Sequence, residues 1–268
     1  MTLLILNQDN KNSENCNVTL EVSIENILIF ISKIMFNSKI KFLQDLQLSK
    51  AYGIGSYTNT GKGHFIANIA SQFIGKNKEV YVLVTDELEI DVIERMAKCS
   101  LGKDEVSKEE FAQIAGNSEN IKIIQVAGKT IKQIKKLIPQ GEKTYIFIDD
   151  IDDLMITEDS YGIELKTKAK KADLLSEIAK ETGNCIVFTF QINHYRFQTE
   201  EAYSMLSHCE EILLLERDGQ VDGVGTDWDM FVVTGNSLYL KRFTQKEKIP
   251  ASMEILDIQD GFKLDLFE

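Results

Sequence analysis

A lysine that a short loop delivers to the start of a helix is suited to holding phosphate. The segment Ser56-Tyr-Thr-Asn-Thr-Gly-Lys-Gly puts Lys62 in that position, between a short apolar strand and a strongly amphipathic stretch. Backbone N–H groups of such a loop and of the helix N-terminus offer donors and a positive dipole end to an anion. Lys62 adds a point charge for the β- and γ-phosphates of a nucleotide. The candidate binding residues are Ser56, Thr58, Asn59, Thr60, Gly61, Lys62, Gly63 and His64. Two positions depart from the pattern G-x-x-x-x-G-K-[ST]. Ser56 stands where the first glycine is usual, and Gly63 replaces the hydroxyl residue that ligates Mg²⁺. The loop thus predicts nucleotide binding and leaves hydrolysis open. Gly63→Thr is expected to raise turnover if the missing hydroxyl limits metal binding. The alternative is an ordinary strand-to-helix turn with an incidental Gly-Lys-Gly.

Three further groups sit at the ends of apolar runs. Tyr145-Ile-Phe-Ile leads into Asp149-Asp150, with Asp152 and Asp153 close behind. Asp149 is expected to hold Mg²⁺ through water; a solvated acidic loop is the alternative. Asp86-Glu87 follow Val80-Tyr-Val-Leu-Val-Thr. A carboxylate there suits a general base acting on water, or Asp86 merely caps the next helix. Gln191 and Asn193 end the run Cys185–Phe190. A glutamine at that edge faces the crevice where open α/β sheets bind ligands and is placed to sense a γ-phosphate.

These groups need a scaffold, and the hydropathy pattern supplies one. Phe65, Ile66, Ile69, Ala70, Phe73 and Ile74 form one helical stripe behind the loop, with Gly75 as its stop. Val80–Val84 is apolar throughout, as a strand covered on both faces must be. Further strands are expected at Ile121–Val126, Tyr145–Ile148, Cys185–Phe190, Glu211–Leu215 and Met230–Thr234. Helical patterns fall at 88–98, at Ile131–Ile138 and around Leu174–Ala179. After Asn236 the segments SLYLKRF, SMEILDIQ and FKLDLF alternate like antiparallel strands. Repeated β-α-β units predict an α/β fold: a mostly parallel twisted sheet flanked by helices, with antiparallel hairpin strands at the C-terminal edge.

The chain has 268 residues, of which 43% are hydrophobic, enough for one large α/β domain and a short additional element. It divides into an N-terminal extension, 1–50, and a main domain, 51–268. The extension carries an amphipathic, linker-like helix from Val18 to about Leu48. A net charge of −12 disfavours strong sequence-independent nucleic-acid binding but permits a locally basic channel. Cys16, Cys99, Cys185 and Cys209 lack CxxC spacing and read as thiols in a reducing compartment. No secretory or membrane-spanning pattern is evident, so a soluble cytoplasmic protein is expected.

Taken in order, the motifs over roughly residues 50–268 resemble the C-terminal motor domain of DnaB-like replicative helicases, a branch of the RecA superfamily. The resemblance rests on Ser56 at the first loop position and on VTDELEIDVIERM, ending in Arg95-Met96. It also rests on FIDDIDDLM, on LLSEIAKETGNCIVFTFQINH with His194 where arginine is usual, and on ILLLERD and LYLKRF. It implies a RecA-like ATPase using ATP and Mg²⁺, self-associated into a hexameric ring on single-stranded DNA, with primase or a helicase loader as a further partner. Lys241 or Arg242 is then the trans-acting finger that reaches a neighbour's γ-phosphate. Two loops are placed to meet DNA. One runs from Ile156 to Lys171 and ends in a basic cluster with Lys168, Lys170 and Lys171; the other, His194–Tyr203, carries Arg196. A solvated helix start and an ordinary surface loop are the respective alternatives. Gly63 and the short N-terminal extension keep a second function open: a weakly catalytic or inactive RecA-fold paralogue serving as a DNA- or replisome-binding scaffold. A RecA-like recombinase is a third.

Overall fold

The computed structural model describes residues 41–57, 60–141, 143–157, 165–192, 198–217, 237–245 and 252–257. In chain order these form α1 (Lys41–Gln44), β1 (Ala51–Ser56), α2 (Lys62–Ser71), β2 (Val80–Val84), α3 (Glu89–Leu101) and α4 (Lys108–Gly116). Then follow β3 (Ile121–Gln125), α5 (Ile131–Ile134), β4 (Tyr145–Asp149), α6 (Leu165–Thr182), β5 (Cys185–Gln191) and α7 (Gln198–Leu206). The chain goes on through β6 (Glu211–Arg217), β7 (Ser237–Thr244) and β8 (Ser252–Asp257).

The strands make one eight-stranded sheet in the order β3-β2-β4-β5-β1-β6-β7-β8. β1 to β6 are mutually parallel, while β7 and β8 add on antiparallel. The expected α/β fold with a hairpin edge is what forms. Met230–Thr234, FKLDLF and most of the Val18–Leu48 helix lie outside the described residues.

Both faces of the sheet are covered, which explains the continuous apolar strands. One face packs α1, α2 and α3 through Phe42, Phe65, Ile69, Val92 and Met96 against Val82, Phe147 and Val187. The other packs α5, α6 and α7 through Ile131, Leu175 and Met205 against Ile146, Ile186 and Leu214. Each large apolar side chain so buried contributes about 1.5–3 kcal/mol. β1 runs at the centre, and a Cβ on its Gly53 would lie 2.5 Å from Ile212 Cδ1, so the bare backbone lets β6 side chains close over it.

Two helix ends differ from expectation. α2 stops at Ser71, and Gly75 takes its left-handed turn (φ 70°) beyond the helix. α3 begins at Glu89 with Leu88 at the cap position and no side-chain cap, so Asp86 is not the capping residue.

Three cysteines, Cys99, Cys185 and Cys209, are buried free thiols; burial pushes Cys99 up to about 12. Cys16 lies outside the described residues. Among the described residues no helix is long and apolar enough to cross a membrane.

Candidate functional site

Parallel strands deliver their C-terminal ends to one edge, and the loops after β1, β2, β4 and β5 meet there. Ser56 is level with Gln191 on β5 and with Leu215 on β6. Ile192 N donates to Ser56 O at 2.8 Å. Val84 is level with Asp149, and Thr85 N donates to Asp149 O at 3.0 Å. Four of the residues singled out from the sequence, Ser56, Lys62, Asp149 and Gln191, thus gather at one end of the sheet.

The loop turns tightly before the helix. Ser56 Oγ and Thr60 Oγ1 donate to Tyr57 O at 3.0 and 2.9 Å, and both residues are buried. Gly61 caps α2 with φ 107°, a left-handed conformation that favours glycine. Lys62 and His64 open the helix half-buried. Asn68 Nδ2, one turn on, donates to His64 O at 2.9 Å and to Cys99 Sγ at 3.1 Å, fixing α2 against α3. Thr58 and Asn59 lie outside the described residues.

Asp149 ends β4 with Oδ1 accepting from Thr189 Oγ1 at 2.6 Å. Burial raises its carboxyl above the usual range, against the opposing effects of the Thr189 bond and the Lys62 charge. Next to it, burial and the neighbouring Asp152 push Asp150 up to about 7. Glu87 is not a free carboxylate. Arg95 Nη1 donates to its Oε2 at 2.8 Å and Nη2 donates to its Oε1, each side chain being 21% exposed. Asp86 beside it is exposed.

The absence of a side chain at Gly63 has a structural cause. A Cβ built there would lie 2.6 Å from Arg95 Nη1 and 2.6 Å from Asp149 Oδ2. Real Cβ atoms do not come so close, so a threonine at 63 requires both neighbours to shift. Magnesium demands near-octahedral oxygen ligation. Here no hydroxyl follows Lys62, and the tip of Arg95 lies in the space beside Asp149. One ligand of the ion expected at Asp149 is thus missing. The sequence singled out Arg95 only as part of a motif and gave it no role in the site. Its nearness to Gly63 is a tertiary contact between α2 and α3.

The basic cluster after Asp149 also differs from expectation. It lies on α6 rather than in a loop, and Lys168 and Lys171 are 0% exposed. Lys168 Nζ donates to Gln191 O and lies 3.6 Å from Asp152 Oδ1. Lys171 Nζ donates to Asp152 O at 2.6 Å. Asp152 Oδ2 in turn accepts from Gln191 N at 2.7 Å. The two lysines bind the acidic loop to the end of β5, and neither is exposed where the sequence placed a loop to meet DNA. Lys170 is exposed, and Arg196 lies outside the described residues.

No protein-family model matches the chain, and no curated protein matches its sequence. Solved structures do match. A DnaB-like replicative helicase, solved in a study of its interactions with primase, aligns at TM-score 0.62 and 15% identity, covering 91% of this chain and 67% of that one. A solved ATPase domain of another protein aligns at TM-score 0.63 and 14% identity, covering 92% of this chain and 99% of that one. The RadB recombinase aligns at 0.52 and 11%, covering 82% and 91%. The chain shares the fold of these solved domains.

Within that fold the proposed finger residues point inward. Arg242 Nε and Nη2 donate to Glu211 at 2.9 and 2.6 Å, and Nη2 also donates to Asp45 at 2.7 Å. It is 6% exposed. Its partner on β6 is Leu213, two residues short of the position level with Ser56. Arg242 therefore joins the segment after α1 to the sheet. Lys241 Nζ donates to Glu216 at 2.5 Å and is half-buried.

Proposed function

We propose that this chain is an ATP-binding RecA-type domain that turns ATP over slowly and works in a ring at single-stranded DNA or a replication partner. The carrying observation is Lys62 at the N-terminus of α2, after the left-handed Gly61, its charge acting on Asp149 at the end of β4. That arrangement suits a triphosphate laid across the loop, its charge met by Lys62 and the helix dipole.

Slow turnover follows from two features. One of the two candidate bases, Glu87, is engaged by Arg95, and the position after Lys62 lacks a hydroxyl. The burial of Lys168, Lys171 and Arg242 favours the scaffold over the translocase, because three groups a motor would use are spent on internal pairs. The translocase remains the second reading, supported by the alignment of Lys62, Asp149 and Gln191. Binding of primase or a loader, and the hexamer, rest on the resemblance to DnaB-like helicases alone.

ATP hydrolysis measured with and without single-stranded DNA, beside Lys62→Ala, separates these readings. The proposal expects a rate within about threefold of the variant while ATP still binds. Strong stimulation by DNA that Lys62→Ala abolishes establishes the translocase instead. Absence of ATP binding overturns both.

A further inference from the structure

We infer that the site binds nucleotide phosphate without a divalent ion, the guanidinium of Arg95 standing where a metal and its hydroxyl ligand would be. The inference rests on the nucleotide-binding reading of the Lys62 loop and goes beyond it by assigning a residue and a metal requirement.

Three observations carry it. First, the space beside the helix start is claimed: the point where a Cβ of residue 63 would sit is 2.6 Å from Arg95 Nη1 and 3.6 Å from Arg95 Cζ. The missing side chain at Gly63 leaves that space to the tip of Arg95. Second, the same point is 2.6 Å from Asp149 Oδ2, so the guanidinium and the carboxylate expected to face a metal flank one small space. A dication brought there shares that space with the guanidinium. Third, the guanidinium is held in place. Its Nη1 and Nη2 donate to Glu87, and α3 is fixed to α2 through Asn68 and Cys99, which leaves its other N–H bonds to meet an anion. A guanidinium has five N–H donors in a rigid fork, and the pairing with Glu87 accounts for two hydrogen bonds. Forked donors suit phosphate oxygens, where they replace by hydrogen bonding what a metal does by coordination.

The chemistry recognised is the β- and γ-phosphate of a nucleoside triphosphate, or the β-phosphate of a diphosphate. The test uses the full chain and a fluorescent ATP analogue, titrated once in excess MgCl₂ and once in excess EDTA. The expected result is two dissociation constants within about threefold of each other. Arg95→Ala is expected to weaken binding in EDTA by about tenfold or more, and Arg95→Lys, which keeps charge but loses the fork, by less. Circular dichroism confirms that the variants fold, and the wild-type comparison stands without them. Binding that drops tenfold or more in EDTA overturns the inference and leaves nucleotide binding standing. An Arg95→Ala protein that binds as tightly as wild type in EDTA also overturns it. No binding in either buffer overturns this inference and the nucleotide reading together.

Discussion

Arg95 and Glu87 form a two-pronged ion pair at the mouth of the phosphate loop, Nη1 to Oε2 at 2.8 Å with Nη2 on Oε1. The pair holds a negative charge close to where a triphosphate would lie. Glu87→Gln removes that charge and leaves the guanidinium in place. ATP affinity is expected to rise by about tenfold, or about 1.4 kcal/mol. The pair is partly exposed, so stability falls by no more than about 1 kcal/mol. Calorimetric titration of both proteins reads the first effect and urea unfolding the second. An unchanged or weaker affinity contradicts the placement of Glu87 beside the phosphates.

Gly63→Thr tests the room at the helix start. The new Cβ meets Arg95 and Asp149 at 2.6 Å. Both are ends of side chains that can move aside, so the cost is on the order of 1 kcal/mol. The sequence alone suggested a gain in turnover; the geometry reverses that expectation. Urea unfolding should show the loss, with ATP binding weakened as Arg95 is displaced. A variant of full stability and faster turnover contradicts the packing described.

The three lysines of α6 should separate cleanly. Lys168 and Lys171 are fully buried against Asp152 and the end of β5, whereas Lys170 is exposed. Removing one member of a buried charge pair costs about 3–5 kcal/mol. Lys168→Met and Lys171→Met are expected to lose that much. Lys170→Ala is expected to stay within about 0.5 kcal/mol of wild type. Equal stabilities across the three variants contradict the buried network.

This cluster shows what sequence reading reached and what it missed. Lys168, Lys171, Ala172 and Leu175 recur at helical spacing on one face, and that face is the buried one. Reading the stretch as a loop hid the spacing. The strands were legible because both faces are covered, so Val80–Val84 and Cys185–Phe190 stayed apolar throughout. α4 went unseen because none of its residues is buried, although Ser107 and Glu110 spell a capping box that marks its start. The Lys62 loop and Asp149 were singled out from local patterns, and both stand at the same end of the sheet. The closeness of Arg95 to Gly63 was not, since it depends on how α3 lies against α2. Arg242 looked available because its partners, Glu211 and Asp45, are 31 and 197 residues away in the chain.

Asp150 gives the acidic loop a pH signature. Its folded pKa stands near 7, raised first by burial and then by Asp152, against about 3.9 in an unfolded chain. The folded state binds the proton more tightly, so this residue's contribution is full below about pH 4 and is lost as pH rises to about 7. Asp150→Asn removes the penalty of ionising there, and its Oδ1 still accepts the Asp152 N–H. Relative to wild type the variant should gain on the order of 1–3 kcal/mol at pH 8, and the gain should vanish near pH 4. Urea unfolding across that range measures it. A gain independent of pH contradicts a raised Asp150.

The proposed nucleotide binding rests first on Lys62. Calorimetric titration of the full chain with ATP, beside Lys62→Ala, tests it most directly. The prediction is saturable binding at one site per chain in the wild type, weakened by about tenfold or more in the variant. Equal binding by the two proteins, or none by either, contradicts it.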